Sequence, residues 1–185
     1  MSAAARFNQV AQTKGWPLIC DEWVQFDLPK LKEALAYWTK IAGHRGSPIR
    51  GELTPHGMKS FLAQVSLAER SLGADGGPRW KVRLQGSDID RVFGPLTGRF
   101  IDEVFEPDRL LRWMSSIQLV LDLRKPVRFL GEMRIPDRDP CVMESLLAPL
   151  SSDGSDIDMI FNVSVIRPAD NFAQVKGKLL ASHAV

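Results

Sequence analysis

Few residues in this chain have the type and spacing that chemistry needs, and most of those few point away from catalysis. His44, His56 and His183 fall in loops or in the C-terminal tail, without the spacing and supporting partners of a zinc or haem site. Gly94-Pro95-Leu96-Thr97-Gly98 has a Gly-x-x-x-Gly outline. Phosphate-cradling loops use other spacings and a Lys-Ser/Thr pair, so these glycines serve turn geometry. No Gly-x-Ser-x-Gly nucleophile elbow occurs. Asp102, Glu103, Glu106 and Asp108 form an acidic run where a helix is expected to begin. Negative charge there suits the helix dipole, whereas proton transfer needs a carboxylate held in an apolar pocket. Asp153, Asp156 and Asp158 have the look of a calcium loop, but Ser164 stands where the EF-hand glutamate belongs, and a turn is expected.

Cations and large apolar side chains remain. Arg83, Arg99, Arg128 and Arg134 could pair with an anionic ligand at a cavity mouth, or form ordinary ion pairs. Trp113, Met133 and Met143, with Phe100 and Phe129, could line a ligand cavity or fill a plain core.

These residues must be positioned by the stretch from Trp80 to Phe105. Trp80, Val82 and Leu84 alternate with Lys81, Arg83 and Gln85, the period of a half-buried strand. Gly86-Ser87 breaks it, Asp88 can cap a short helical turn, and Gly94-Pro95 stops that turn. A second turn carries Phe100, Ile101, Val104 and Phe105. Upstream, Asp27 can cap a helix whose stripe is Leu31, Ala34, Leu35, Trp38, Ile41 and Ala42, ended by Gly43. Val65 and Leu67 mark a strand joined to the Trp80 strand through the Gly- and Pro-rich turn at 73–78. Pro107 opens a long helix lined by Leu110, Met114, Ile117 and Leu121, and Pro126 closes it. Three strands follow, around Val127–Met133 (where Gly131 could permit a bulge), Cys141–Leu150 and Ile157–Ile166. Residues 1–26 form an apolar arm expected to pack on the domain or on a second copy.

At 185 residues the chain fits one domain plus an appendage. Its 24 basic and 22 acidic residues are interspersed, a balance that predicts no generic affinity for nucleic acid or an anionic membrane. Cys20 and Cys141 are too few for a disulfide framework and suit free thiols in a reducing compartment. With no signal-peptide pattern and no membrane-length apolar run, the expected location is the cytoplasm.

The order of these motifs resembles PAS domains, especially the bacterial group in which one PAS domain makes up most of the chain. The resemblance rests on the strand ending in Gly86-Ser87, on Val92-Phe93-Gly94 and on Leu96-Thr97-Gly98-Arg99. Trp38 on an early helix and Leu146-Leu147-Ala148-Pro149-Leu150-Ser151-Ser152-Asp153-Gly154 extend it over roughly Leu31 to Val165. It implies an α+β fold: a five-stranded antiparallel sheet with helices inserted after the second strand, plus an N-terminal helical appendage. The expected division is an arm and helix over 1–45, a PAS-like domain over 46–168 and a polar tail over 169–185.

The resemblance further implies sensing or interaction rather than catalysis, with a small molecule, a separate signalling protein or both as partners and no output module on the chain. Arg99 matches the family's Leu-Thr-Gly-Arg position. Haem is disfavoured because 106–124 lacks histidine, and photochemical flavin because no cysteine lies near Arg99. PAS-like pairing through N-terminal helices makes a homodimer the expected assembly, with Trp23, Leu31, Leu35 and Trp38 at its interface. Against this stand a small enzyme using the same cavity and a ligand-free adaptor.

Overall fold

The computed structural model describes residues 1–74, 76–134 and 139–169. Its centre is an antiparallel sheet of six strands. In chain order these are β1 (Leu18–Asp21), β2 (Val65–Leu72), β3 (Pro78–Gln85), β4 (Val127–Met133), β5 (Cys141–Leu150) and β6 (Met159–Pro168). Across the sheet they run β1-β4-β5-β6-β2-β3. Strands β2 and β3 form the expected hairpin, and the helices between β3 and β4 fold back over one face. The expected tail falls almost wholly in 170–185, outside the described residues.

One face of the sheet is covered by helix α2 (Pro29–Ala42). Its stripe of Leu31, Ala34, Trp38 and Ala42 packs on Leu67, Leu146, Ala148, Leu150, Phe161 and Val163. Leu31 is fully buried, and burying such a side chain stabilises by about 1.5–3 kcal/mol. The Trp38 indole N–H donates to the Pro149 carbonyl at 2.8 Å. Leu31 and Trp38 are thus used within their own chain and present no surface to a second copy, which corrects their assignment to a dimer interface. Leu35 is half-buried, and Trp23 is 68% exposed. Helix α2 begins after Leu28 without a side-chain cap, so Asp27 does not cap it.

The opposite face is covered by α1 (Ala3–Thr13), α3 (Ser87–Phe93) and α4 (Pro107–Leu123). The first two elements of the arm bury part of its apolar content, while Phe26 and Val24 pack on the α2 side and Trp23 stays exposed. Helix α1 is capped by the Ser2 hydroxyl and buries Ala4, Phe7 and Ala11. Phe7 meets Phe129 edge-on at 5.4 Å, and Trp16 is buried beside it. Strand β1 then pairs with β4, Leu18 opposite Gly131 and Asp21 opposite Arg128. The expected appendage therefore supplies the sixth strand and caps an edge that would otherwise expose unpaired backbone groups. Because β4 pairs without a shift, Gly131 makes no bulge.

The irregularity lies instead in the β2–β3 pairing, where Leu67 faces Leu84 and Ala68 faces Val82, leaving Arg83 of β3 without an opposite number. It breaks the strict alternation of β3. Trp80 and Val82 join the core under α1 and α4, while Leu84 packs on the α2 side.

Candidate functional site

Between the sheet and α4 lies a cavity of about 530 Å³, inside the range of about 300–1,000 Å³ usual for small-molecule sites. Its far wall comes from the central stretch. Val82 ends the buried part of β3, and the chain turns tightly at Gly86, where a Cβ would lie 2.4 Å from the Ala63 carbonyl oxygen. Helix α3 and the loop after it then bring Ile89, Phe93, Leu96, Ile101 and Phe105 to the cavity. Gly94 (φ 76°) and Gly98 (φ 89°) take the left-handed conformations these turns require. Asp88 does not cap α3: the N-cap is Gly86, and Asp88 pairs with Arg91 at 2.7 Å and accepts from the Gln64 amide.

The floor is polar. Ser66 on β2, Asn162 and Ser164 on β6 and Ser145 on β5 face the cavity, and Ser145, Asn162 and Ser164 are buried. Register aligns them, with Ser66 opposite Asn162 and Ser145 opposite Ser164. Hydrogen bonds of 2.7 Å (Asn162 Nδ2 to Ser66 Oγ), 3.2 Å (Ser164 Oγ to Asn162 Oδ1) and 2.7 Å (Ser145 with Ser164) join all four. Phe129 and Leu147 continue the floor as apolar surface.

The mouth lies where the first turns of α4 meet the end of β4. Arg109, Arg112 and Trp113 face Glu132, Met133, Arg134 and Met143, with Pro17 and Leu18 of the arm alongside. Arg112 is paired with Asp108 at 3.0 Å, and Asp108 also accepts from the Trp16 indole at 3.3 Å. Arg109 instead lies 5.8 Å from the Phe93 ring centre and 5.7 Å from that of Phe105.

Of the residues expected from sequence at a ligand site, Trp113, Phe129, Met133 and Met143 line this cavity. Arg99 and Phe100 do not. Arg99 is exposed and contributes backbone bonds, its carbonyl accepting from the Val82 amide at 2.9 Å. The Phe100 ring is held outside by the Arg79 guanidinium, 3.9 Å from its centre. Both miss because the loop after α3 runs along β3, with Phe100 bridging to Lys81, so this segment turns outward while Leu96 and Ile101 turn in.

Among the other arginines, Arg134 reaches the rim, Arg83 pairs with Glu69 at 3.1 Å, and Arg128 is buried on the α2 side. Sequence reasoning missed Ser66, Ser145, Asn162, Ser164, Arg109 and Arg112. One signal was present: Asn162 and Ser164 occupy the phase opposite Phe161 and Val163 in a strand buried on both faces, and polar residues are rarely placed there without a partner.

Apart from Asp108 at the mouth, the acidic residues singled out from sequence have structural work elsewhere. Asp102 and Glu103 clamp Arg79 at 2.8 and 2.7 Å, rather than cap α4, whose N-cap Glu106 makes no side-chain cap bond. The hydrogen bond from Arg79 holds the Asp102 carboxyl below its ordinary pKa. Asp153 and Asp158 close the turn before β6 by accepting from the amides of Ser155 and Ser152, both at 2.8 Å. Neither cysteine lines the cavity. Burial, reinforced by the nearby Asp21 and Glu22, pushes the Cys20 thiol far above its usual pKa, leaving it unreactive.

A family model described as "PAS domain" matches residues 27–163, well over half of the chain. No curated protein matches it. Among solved structures, an RNA-binding light-oxygen-voltage receptor is 14% identical at a TM-score of 0.40, over 74% of this chain and 41% of the receptor. The chain thus spans less than half of that receptor's length. A variant of RsLOV is 11% identical at a TM-score of 0.40, over 81% of this chain and 76% of its own.

Proposed function

Because the chain belongs to the PAS domain family, we propose that it is a sensor: it holds a small molecule between its sheet and α4 and reports occupancy to a separate protein. The observation that carries this reading is the cavity itself. A volume of about 530 Å³ with apolar walls, a hydrogen-bonded polar floor and cations at one end is the composition of a small-molecule site. The arm supports a sensing role, because Pro17 and Leu18 belong both to the rim and to the segment that pairs with the sheet edge. That shared segment is the route by which occupancy would reach the sheet edge.

The role is binding rather than catalysis. Asp108 at the rim is exposed and paired with Arg112, not held in an apolar pocket that would tune it for proton transfer. A cytoplasmic location belongs to the same reading; among the described residues no helix is long and apolar enough to cross a membrane. The homodimer uses the surface around Trp23 and Leu35 rather than Leu31 and Trp38.

Native mass spectrometry of the purified chain tests the proposal. The expected spectrum carries one small-molecule adduct per chain that is lost on denaturation. Bare chain mass from every preparation overturns the proposal and favours an adaptor.

A further inference from the structure

The two ends of the cavity offer different chemistry, and the hydrogen bonds decide which groups are still free. Ser164 Oγ donates to Asn162 Oδ1, which engages its one proton. The contact between Ser145 and Ser164 must then run from Ser145 to Ser164. Asn162 Nδ2 donates one of its two protons to Ser66 Oγ. The chain of bonds therefore points one way across β5, β6 and β2. It ends in two free donors side by side, the Ser66 O–H and the second N–H of Asn162. Asn162 is 9% exposed, and a buried donor left unpaired is costly, so this end of the cavity is suited to an acceptor oxygen.

At the mouth Arg109, Arg134 and Glu132 have no ion-pair partner among the described residues, which leaves one net positive charge. Arg112 already has Asp108. No carboxylate partners Arg109 among the described residues, and the rings of Phe93 and Phe105 hold its guanidinium at the rim. Asn162 lies opposite Leu147 and Leu147 opposite Val127; Gly131, at the mouth, is further along β4. Two strand spacings and that run along the strand put donors and rim on the order of 16 Å apart. The surface between carries Phe129, Trp113 and Met143, with the Ser145 hydroxyl, already engaged by Ser164, at its middle.

We infer that the occupant is an amphipathic carboxylic acid of medium length. Its carboxylate pairs with Arg109, its apolar body crosses the Phe129 surface, and a hydroxyl or carbonyl oxygen at its far end accepts from Ser66 and Asn162. The inference rests on the cavity reading above and names the ligand class.

Calorimetric titration of the full chain, freed of endogenous small molecules, with ω-hydroxydecanoate, decanoate and decanediol tests it. The first binds tightest. Decanediol, lacking the charge, binds at least about tenfold more weakly, and decanoate, lacking the distal oxygen, about threefold to tenfold more weakly. Arg109→Gln, at an exposed position, removes the acid's advantage over the diol. Ser66→Ala removes the advantage of ω-hydroxydecanoate over decanoate. Equal binding of acid and diol, or an Arg109→Gln chain that keeps the difference, overturns the inference and leaves the cavity reading standing. Failure of all three probes also overturns it. An adduct in the native spectrum then still upholds the cavity reading, and a bare chain ends both.

Discussion

Arg128→Ala is predicted to be among the most damaging single changes in the chain. Arg128 is 5% exposed and bridges the edge strand to the sheet centre. Its Nε and Nη2 reach Glu144 at 2.9 and 2.8 Å, and its Nη1 reaches Asp21 at 3.4 Å. Glu144 is 1% exposed and Asp21 3%. The truncation leaves Glu144 with Arg167, more loosely placed at 3.3 Å, and takes from Asp21 the cation that ties β1 to β4. Breaking a buried ion pair from one side costs about 3–5 kcal/mol, because the remaining charge stays desolvated. Against a typical domain stability of about 5–15 kcal/mol, that lowers the melting temperature by roughly 6–20 °C.

Arg45→Ala is the control. Arg45 meets Glu52 at 2.8 Å, as close as Arg128 meets Glu144, but the side chains are 48% and 37% exposed. It should cost no more than about 1 kcal/mol. Urea unfolding of both variants decides. Equal losses, or an Arg128→Ala loss under about 1 kcal/mol, would refute the claim that burial rather than distance sets the cost.

Trp38→Asp should unfold the chain or strongly lower its urea midpoint, since a charge enters the α2 core; Trp23→Asp should change the unfolding free energy by no more than about 0.5 kcal/mol. A soluble, fully folded Trp38→Asp monomer would contradict the placement of Trp38 within its own subunit. Gly86→Ala should cost clearly more than the roughly 1 kcal/mol of an average substitution, because the new Cβ meets backbone at 2.4 Å; an unchanged melting curve counts against the tight turn. Asp102, Asp153 and Asp156 have depressed pKa values, from the Arg79 hydrogen bond, Ser155 hydrogen bonds and the Ile157 backbone bond respectively. Their stabilisation is present above the ordinary carboxyl pKa of about 3.9 and is lost as pH falls through their lower folded values. The urea midpoint should therefore drop on acidification below about pH 4, and Asp102→Asn should flatten that drop.

Element order and the α2 stripe were legible in the sequence because periodicity reports burial directly. Of the α4 line Ile117 is buried, while Leu110, Met114 and Leu121 are only partly so and Ser116 and Leu119 share the buried face. The arm was legible as apolar but not as helix and strand. Leu18–Asp21 is only four residues long, and its strand character comes from pairing with β4 rather than from its own pattern. Leu31 and Trp38 were read as interface residues because a stripe shows that a face is buried without showing against what. At the site, Phe129 and Met143 were legible as apolar residues near a resembling motif. The serine and asparagine row was not, since it is assembled by register between β2, β5 and β6, which are far apart in the chain. Arg109 and Arg112 belong to no motif, and they join the site only because the end of β4 lies opposite them.

Methyl NMR of methionine-labelled protein tests the central claim most directly. Met133 and Met143 line the cavity, while Met58 and Met159 lie in the core under α2. Spectra would be compared between chain as isolated and chain stripped of its small molecules by unfolding and refolding. The account predicts that the Met133 and Met143 methyls shift between the two preparations while Met58 and Met159 stay in place. Identical spectra, or shifts confined to Met58 and Met159, would contradict a ligand held between the sheet and α4.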